Sequence, residues 1–346
     1  MQSDGCSYID DENIAFLSFL GRISYNTCMR WIISHQSALE FWRKAHADEA
    51  LAGKRLRATN PSAKPLNVKD LKNENPWNHD TPLHVLVGSD NARKNCRGLH
   101  CHISSGEFPD GSFIQMTQGL AVSSPELCFL QMAGELSFTD LVMLGYEFCG
   151  SYRLDSSDQG FRGDLPLTSG ARLNSYITKA AGLKGRTNAS RALRFIADGS
   201  ASPMETILTL LLILPYRFGG YGFPKPQLNY RIDMPADSEK TAGKPYYICD
   251  LYWPDGKVDV EYDSDAYHTG PERIANDAIR RNALISENVT VVTVTRMQII
   301  DTQSFRKLAE LLSQRLGKRL KYPKKEFATR HANLRRELFP KASKDG

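Results

Sequence analysis

The sequence predicts an α/β protein: an amino-terminal α+β domain, then a core in the order helix, three strands, helix, strand, helix. Three observations carry this. Pro254-Asp255-Gly256-Lys257 lies between two runs that alternate apolar and polar residues, the mark of a β-hairpin. Val289 to Thr295 is β-branched almost throughout and reads as a central strand. Ser202-Pro203-Met204-Glu205 opens an apolar run to Leu214, with Ser as N-cap, Pro at the first helical position and Glu at the third. The expected organisation is an α+β domain at 1–153, a linker and helical bridge at 154–200, the core at 201–320, and a basic tail or helix at 321–346.

The chain has 346 residues, 41% hydrophobic and 24% charged, which suits two or three globular domains. No apolar run approaches the roughly 18 residues of a membrane span, and the first residues lack a basic start and an apolar signal core. A cytoplasmic protein with no membrane partner is expected. The seven cysteines form no CxxC framework, which favours reduced thiols over disulfides.

Taken in order, Ile14 to Ile23 has mixed apolar spacing, and Trp31 to Trp42 reads as a strand passing into a helix. Residues 45–81 are polar, with several Pro and Asn, and read as a long insertion. Leu83–Val87 and Gly98–Ile103 are strands. His100-Cys101-His102 with Cys96 has the residue types of a zinc site, but alternation puts the two histidines on one face and Cys101 on the other, so zinc is not expected from that set. Ser124-Pro125 caps a helix through Met132, and Ser137 to Asp140 caps another through Phe148. Beyond a Ser-, Gly- and Pro-rich stretch at 154–170, Arg172–Ala181 and Ala189–Ile196 read as short helices. Lys184, Arg186, Arg191 and Arg194 around them form either a phosphate-contacting bridge or a solvated helix face.

In the hairpin, a two-residue Asp255-Gly256 loop sets Trp253 opposite Val258, Leu251 opposite Val260, and Asp250 opposite Glu261. Leu251, Trp253, Val258, Val260 and Tyr262 then share one face, while Asp250, Tyr252, Asp259, Glu261 and Asp263 share the other. The result is a half-buried ribbon with clustered carboxylates. Opposed like charges destabilise a strand pair by up to about 1 kcal/mol each, so a cation belongs there, or else the face is simply solvated. Oxygen ligands suit Mg²⁺ or Mn²⁺. A strand at Gln227–Ile232 and a polar loop precede the hairpin. Pro271–Glu287 has helical spacing, and Phe305–Leu316 is an amphipathic helix.

This ordered set, Glu205, Asp250, Glu261-Tyr-Asp263, His268 and Asp277-Ala-Ile-Arg280-Arg-Asn-Ala-Leu284, resembles the PD-(D/E)xK nuclease superfamily, most closely its very-short-patch-repair-like endonuclease branch. The likeness covers about residues 201 to 317. It implies a metal-dependent DNA endonuclease with Mg²⁺ (or Mn²⁺) held by Asp250 and Glu261. Glu205 would complete or orient the shell, or do no more than close its capping box. Asp263, at the nuclease lysine position, joins the catalytic set, and His268 would position or deprotonate the attacking water. Arg280 would contact phosphate, with Arg281, Lys257, Lys324 and Lys325 as further nucleic-acid-binding residues. Asp277 and Arg280 also stand at the spacing of a plain helical ion pair.

Ser34-His35-Gln-Ser37-Ala38-Leu39, Leu83-His-Val-Leu-Val, Leu120-Ala-Val-Ser-Ser-Pro125-Glu and Phe138 to Gly145 resemble the AbiEi-type antitoxins of bacterial abortive-infection systems. That resemblance implies a cognate toxin as partner. His35 reads as a packed or capping histidine. From Arg306 to Gly346 there are 13 Lys/Arg against 4 Asp/Glu, a segment suited to nucleic-acid phosphate or to a solvated tail. Two functions follow: a Mg²⁺-dependent DNA endonuclease, and a non-catalytic nucleic-acid-binding regulator that keeps the same core as a scaffold.

Overall fold

A computed structural model describes residues 31–57, 60–61, 82–104, 106–116, 119–157, 159–235, 244–263, 271–322 and 324–339. The chain is mixed α/β and divides into two compact units, 1–137 with 153–191 and 138–152 with 192–346. The expected segment at 14–23 lies outside the described residues.

The first unit runs β1 (Trp31–Ile33), α1 (His35–Lys44), α2 (Ala47–Leu51), β2 (Lys54–Arg55), β3 (Leu83–Val87), β4 (Leu99–Ile103), β5 (Phe113–Gln115), β6 (Leu120–Ser123) and α3 (Pro125–Met132). Its six-stranded sheet has the order β2-β5-β6-β1-β3-β4. Strand β1 pairs parallel to β6 and antiparallel to β3, and all its residues are buried, as an apolar run in a central strand should be. Helix α1 buries Ala38, Leu39, Phe41 and Trp42, and the Trp42 indole N–H donates to the Ser123 carbonyl at 2.9 Å. Ser124 caps α3 by accepting the Leu127 N–H. Part of the expected polar insertion is ordered structure, since α2 and β2 fall within it.

Glu126, in the first turn of α3, is buried and meets Arg55 at 3.0 Å, Arg172 at 3.2 Å and the Thr168 hydroxyl at 2.7 Å. Burial alone would raise its pKa, but Arg55, Thr168 and Arg172 together hold it below the usual carboxylate range.

The unit boundary differs from the one read in the sequence. Helix α4 (Phe138–Cys149) belongs to the second unit, because nearly every one of its side chains is buried there against other helices. The stretch expected as linker and bridge carries β7 (Tyr152–Leu154), β8 (Phe161–Gly163), α5 (Gly170–Lys179) and α6 (Arg186–Leu193), and 153–191 packs within the first unit. Ser169 caps α5, which buries Leu173, Tyr176 and Ile177. Arg186 donates to the Ile177 carbonyl at 3.0 Å.

The second unit continues with α7 (Pro203–Ile213), β9 (Gln227–Asp233), β10 (Tyr246–Trp253), β11 (Val258–Asp263), α8 (Pro271–Ser286), β12 (Thr290–Thr295), α9 (Arg296–Ile300), α10 (Thr302–Arg315) and α11 (Lys324–Leu338). Its sheet has the order β12-β11-β10-β9, with β11 and β12 parallel. From Glu205 on, every residue of α7 is buried. The basic carboxyl segment is in part a packed helix, with Phe327, His331, Leu334 and Leu338 of α11 buried. Arg335 donates to the Ile299 and Ile300 carbonyls, so one of the basic residues is structural. Among the described residues, no helix is long and apolar enough to cross a membrane.

The hairpin pairs Trp253 with Val258 and Leu251 with Val260, the register expected from the sequence. Its turn is different. Residues 254–256 form a 3₁₀ turn, closed by Lys257 N–H donating to the Pro254 carbonyl at 3.1 Å, and Lys257 carries the positive φ of 45°. Proline's fixed φ favours this opening. Gly256 sits close to a neighbour, and a Cβ there would stand 2.6 Å from the end of the Leu316 side chain, which would have to turn aside. Nor is the ribbon half-buried: Leu251, Trp253, Val258 and Val260 are buried as expected, but so are Tyr252 and Asp259 on the other side. Ala283 and Leu284 of α8 pack with Tyr252 and Cys249 and cover that face.

Candidate functional site

Asp250 sits where the regularity of β10 fails. Cys249 and Tyr252 belong to one packed cluster although they stand three positions apart, so the two-residue alternation breaks in between. Cys249 pairs with Tyr230 and Leu251 with Leu228, which leaves Asp250 across from Asn229. Asn229 has φ 46°, a left-handed conformation that Asn tolerates better than most residues. The break carries Cys249 round to the face of Asp259 and Glu261. Asp250 Oδ2 accepts the Tyr262 N–H at 2.8 Å. Burial, then the charges of Glu261 and Glu205, push its pKa up to about 7.

One ligand atom each from Cys249, Asp259 and Glu261 lies within 4.8 Å of the others. Asp259 is fully buried, and neither of its carboxylate oxygens accepts from an amide, hydroxyl or guanidinium among the described residues; its hydrogen-bond neighbours are the Glu261 carboxyl and the Cys249 thiol, which can donate only when protonated. Leaving a carboxylate so placed costs several kcal/mol unless it is neutralised, so protonation or a cation must compensate. Burial raises both Asp259 and Glu261 above the ordinary carboxylate range, aided at Glu261 by its Asp259 neighbour and at Asp259 by the Asp250 charge. Burial and the Asp259 charge likewise push the Cys249 thiol up. The oxygen atoms of Asp259 and Glu261 fit a hard divalent cation, and a protonated thiol does not. The tight pair is thus Asp259 with Glu261, where the sequence pointed to Asp250 with Glu261.

Arg280 of α8 donates to both Glu261 Oε1 and the Ile248 carbonyl. Its guanidinium, expected to face phosphate, pairs with the carboxylate instead. Arg281 donates to Thr293 Oγ1 at 3.1 Å. Glu261, Asp263, Asp277, Arg280 and Arg281 line one cleft of about 150 Å³, so five residues of the sequence motif do converge.

Glu205 is a buried cap. Its Oε1 accepts the Ser202 hydroxyl at 2.9 Å, and its Oε2 accepts the Ala201 N–H and the Asn229 amide, each at 2.9 Å. Burial raises its pKa and these three bonds pull it back. Lys257 stands apart from the cleft, four residues before Glu261, roughly 13 Å along an extended strand, with its ammonium on the Glu287 carbonyl at 3.2 Å. Lys324 opens α11; Lys325 is exposed and does not line the cleft. His268 lies outside the described residues.

Asp259 and Cys249 were not singled out by sequence reasoning. Asp259 had a signal, its i,i+2 position beside Glu261. Cys249 had only Asn229, a residue tolerant of positive φ at the point where the ladder breaks.

Two uncharacterized proteins, from two strains of Mycobacterium tuberculosis, each match the chain at 29% identity over 125 residues, which is 36% of this chain and 41% of the relative. The match therefore spans about two fifths of the length of these curated relatives. No family model matches the chain, and no solved structure matches it.

Proposed function

We propose that the second unit is a nuclease-type domain of the PD-(D/E)xK kind that hydrolyses DNA phosphodiester bonds with Mg²⁺ or Mn²⁺, acting in a bacterial cytoplasm. The observation that carries this reading is the buried carboxylate of Asp259, without an amide, hydroxyl or guanidinium partner among the described residues, beside Glu261. A divalent cation held by Asp259 and Glu261 would polarise the phosphate and lower the pKa of a water. Asp250, with a pKa near 7, is tuned to accept a proton from that water at neutral pH. Arg281, on the cleft wall, supplies positive charge for phosphate. The first unit, through its antitoxin resemblance, would engage a cognate toxin.

A second reading has its own support. The Arg280 guanidinium already neutralises Glu261, which favours a non-catalytic DNA-binding regulator. Cleavage of plasmid, single-stranded DNA and RNA with Mg²⁺ or Mn²⁺ separates the two. The nuclease reading expects metal-dependent nicking that disappears in Glu261→Ala, Asp250→Ala and Asp259→Asn. Nicking that survives all three substitutions would refute the assigned chemistry. Salt-sensitive binding without cleavage by the wild type establishes the regulator.

A further inference from the structure

The first unit holds a second cluster, built from imidazoles. We propose that His35, His102 and Glu135 form a binding site for a transition-metal ion of the zinc class, with one coordination position left open. One ligand atom from each lies within 4.8 Å of the others. Ligands of a tetrahedral zinc stand roughly 3.4 Å apart, given bonds of about 2.0–2.1 Å. Closing the difference requires a turn of the Glu135 carboxylate, which is exposed, and of one imidazole.

The histidines are oriented as metal ligands usually are, by a bond at the other ring nitrogen. His35 Nδ1 lies 3.0 Å from Ser34 Oγ, which leaves Nε2. His102 Nε2 lies 2.9 Å from His84 Nδ1, which leaves Nδ1. The two rings are stacked, parallel within 8° at 3.4 Å between centroids, so an ion shared in the plane of both takes a turn of one imidazole about its side-chain torsions. The main chain pins His35 as well. Its φ of 51° is a left-handed conformation that side-chain-bearing residues seldom adopt, and its N–H is held by Gln131 Oε1 at 3.0 Å.

Two nitrogens and one carboxylate match catalytic zinc and non-haem iron sites, which keep an open position, better than closed structural ones. That position has somewhere to face: His35, His102 and Glu135 line a cavity of about 320 Å³, together with Lys184 and Gln131. With one carboxylate a dication keeps a net positive charge and Lys184 adds to it, so the natural fourth ligand is a small anion or hydroxide. The thiols take no part, since Cys101 Sγ turns to the Lys94 carbonyl. The ligand set is therefore not the cysteine and histidine group weighed from the sequence.

The test uses the full chain, stripped with chelator and titrated with Co²⁺ while visible absorption is followed, with Zn²⁺ content measured after dialysis. The expected result is about one equivalent bound with d–d bands, lost in His102→Gln and in Glu135→Gln with circular dichroism unchanged. Affinity should weaken roughly 10–100-fold in Ser34→Ala, the range for an orienting partner. Asp259→Asn should leave the equivalent in place, which separates this site from the carboxylates of the second unit. No Co²⁺ uptake by the wild type, or uptake unchanged in the His102→Gln/Glu135→Gln double variant, overturns the proposal.

Discussion

Glu126 in the first unit and Asp259 in the second are both buried carboxylates, and they have opposite surroundings. Glu126 meets two guanidinium groups and a hydroxyl, and its pKa is held down. Asp259 meets another carboxyl and a thiol in place of guanidinium groups, and its pKa is raised. A folding core gains nothing from the second arrangement. The difference teaches which acidic residue holds the protein together and which one is kept at a cost for some other use.

Stability measurements break this comparison most directly. Removing Glu126 leaves Arg55 and Arg172 facing a cavity once filled by charge, a change that costs about 3–5 kcal/mol for fully buried pairs. The two arginine side chains keep 32% and 52% of their exposure and can turn to water, so Glu126→Ala should sit near the lower end, about 3 kcal/mol. Asp259→Asn in chelated protein should cost less than about 1 kcal/mol or stabilise, because without a cation the carboxyl must either take up a proton or stay buried as a charge, and the amide does neither. Urea unfolding of both variants reads this, and equal losses would show that Asp259 is as structural as Glu126.

The pH dependence should carry opposite signs. The folded-state pKa of Glu126 is depressed, so its contribution is present above the unfolded value of 4.5 and is lost as pH falls below it. That of Asp250 is raised, so its contribution is complete below the unfolded value of 3.8 and is lost as pH rises toward about 7. In chelated protein, the stability gap between wild type and Asp250→Asn should therefore move against the wild type from pH 4 to 7, by at most about 1.4 kcal/mol per pH unit. The gap with Glu126→Gln should close only below pH 4.5. A flat profile for Asp250→Asn would mean that the carboxylate is not in the neutralising environment described for it.

How much of this could be read from the sequence depended on whether local chemistry decided the outcome. The hairpin register was legible because Leu251, Trp253, Val258 and Val260 must share a face, whichever turn joins the strands. The turn itself was not, since Pro254 and the closeness of Leu316 to Gly256 override the usual preference of Asp-Gly. The cluster around Glu261 was half legible: alternation groups Asp259 with Glu261, but only the irregularity opposite Asn229 brings in Cys249. The imidazole cluster was legible only in that alternation puts His100 and His102 on one face, because His35 comes from a helix and His84 from the strand paired in parallel with theirs.

Glu205 is the third buried carboxylate and separates capping from chemistry by the smallest expected effect. All its visible partners are local: Ser202 and the Ala201 N–H at the start of α7, and Asn229 from the neighbouring strand. Glu205→Gln keeps an oxygen acceptor but gives up the second, at a cost of about 1 kcal/mol, the usual scale for a lost helix cap. A residue that only caps should show that stability loss in urea with DNA cleavage unchanged. One that orients the cation-binding carboxylates should instead lose cleavage 10–100-fold, as removal of an orienting partner does. Its closeness to Asp250, whose pKa it helps to raise, favours the second outcome. The matching control is Ser202→Ala, which removes the same cap from the other side and leaves the carboxylate in place. Equal cleavage by Ser202→Ala and Glu205→Gln would assign Glu205 to the helix alone.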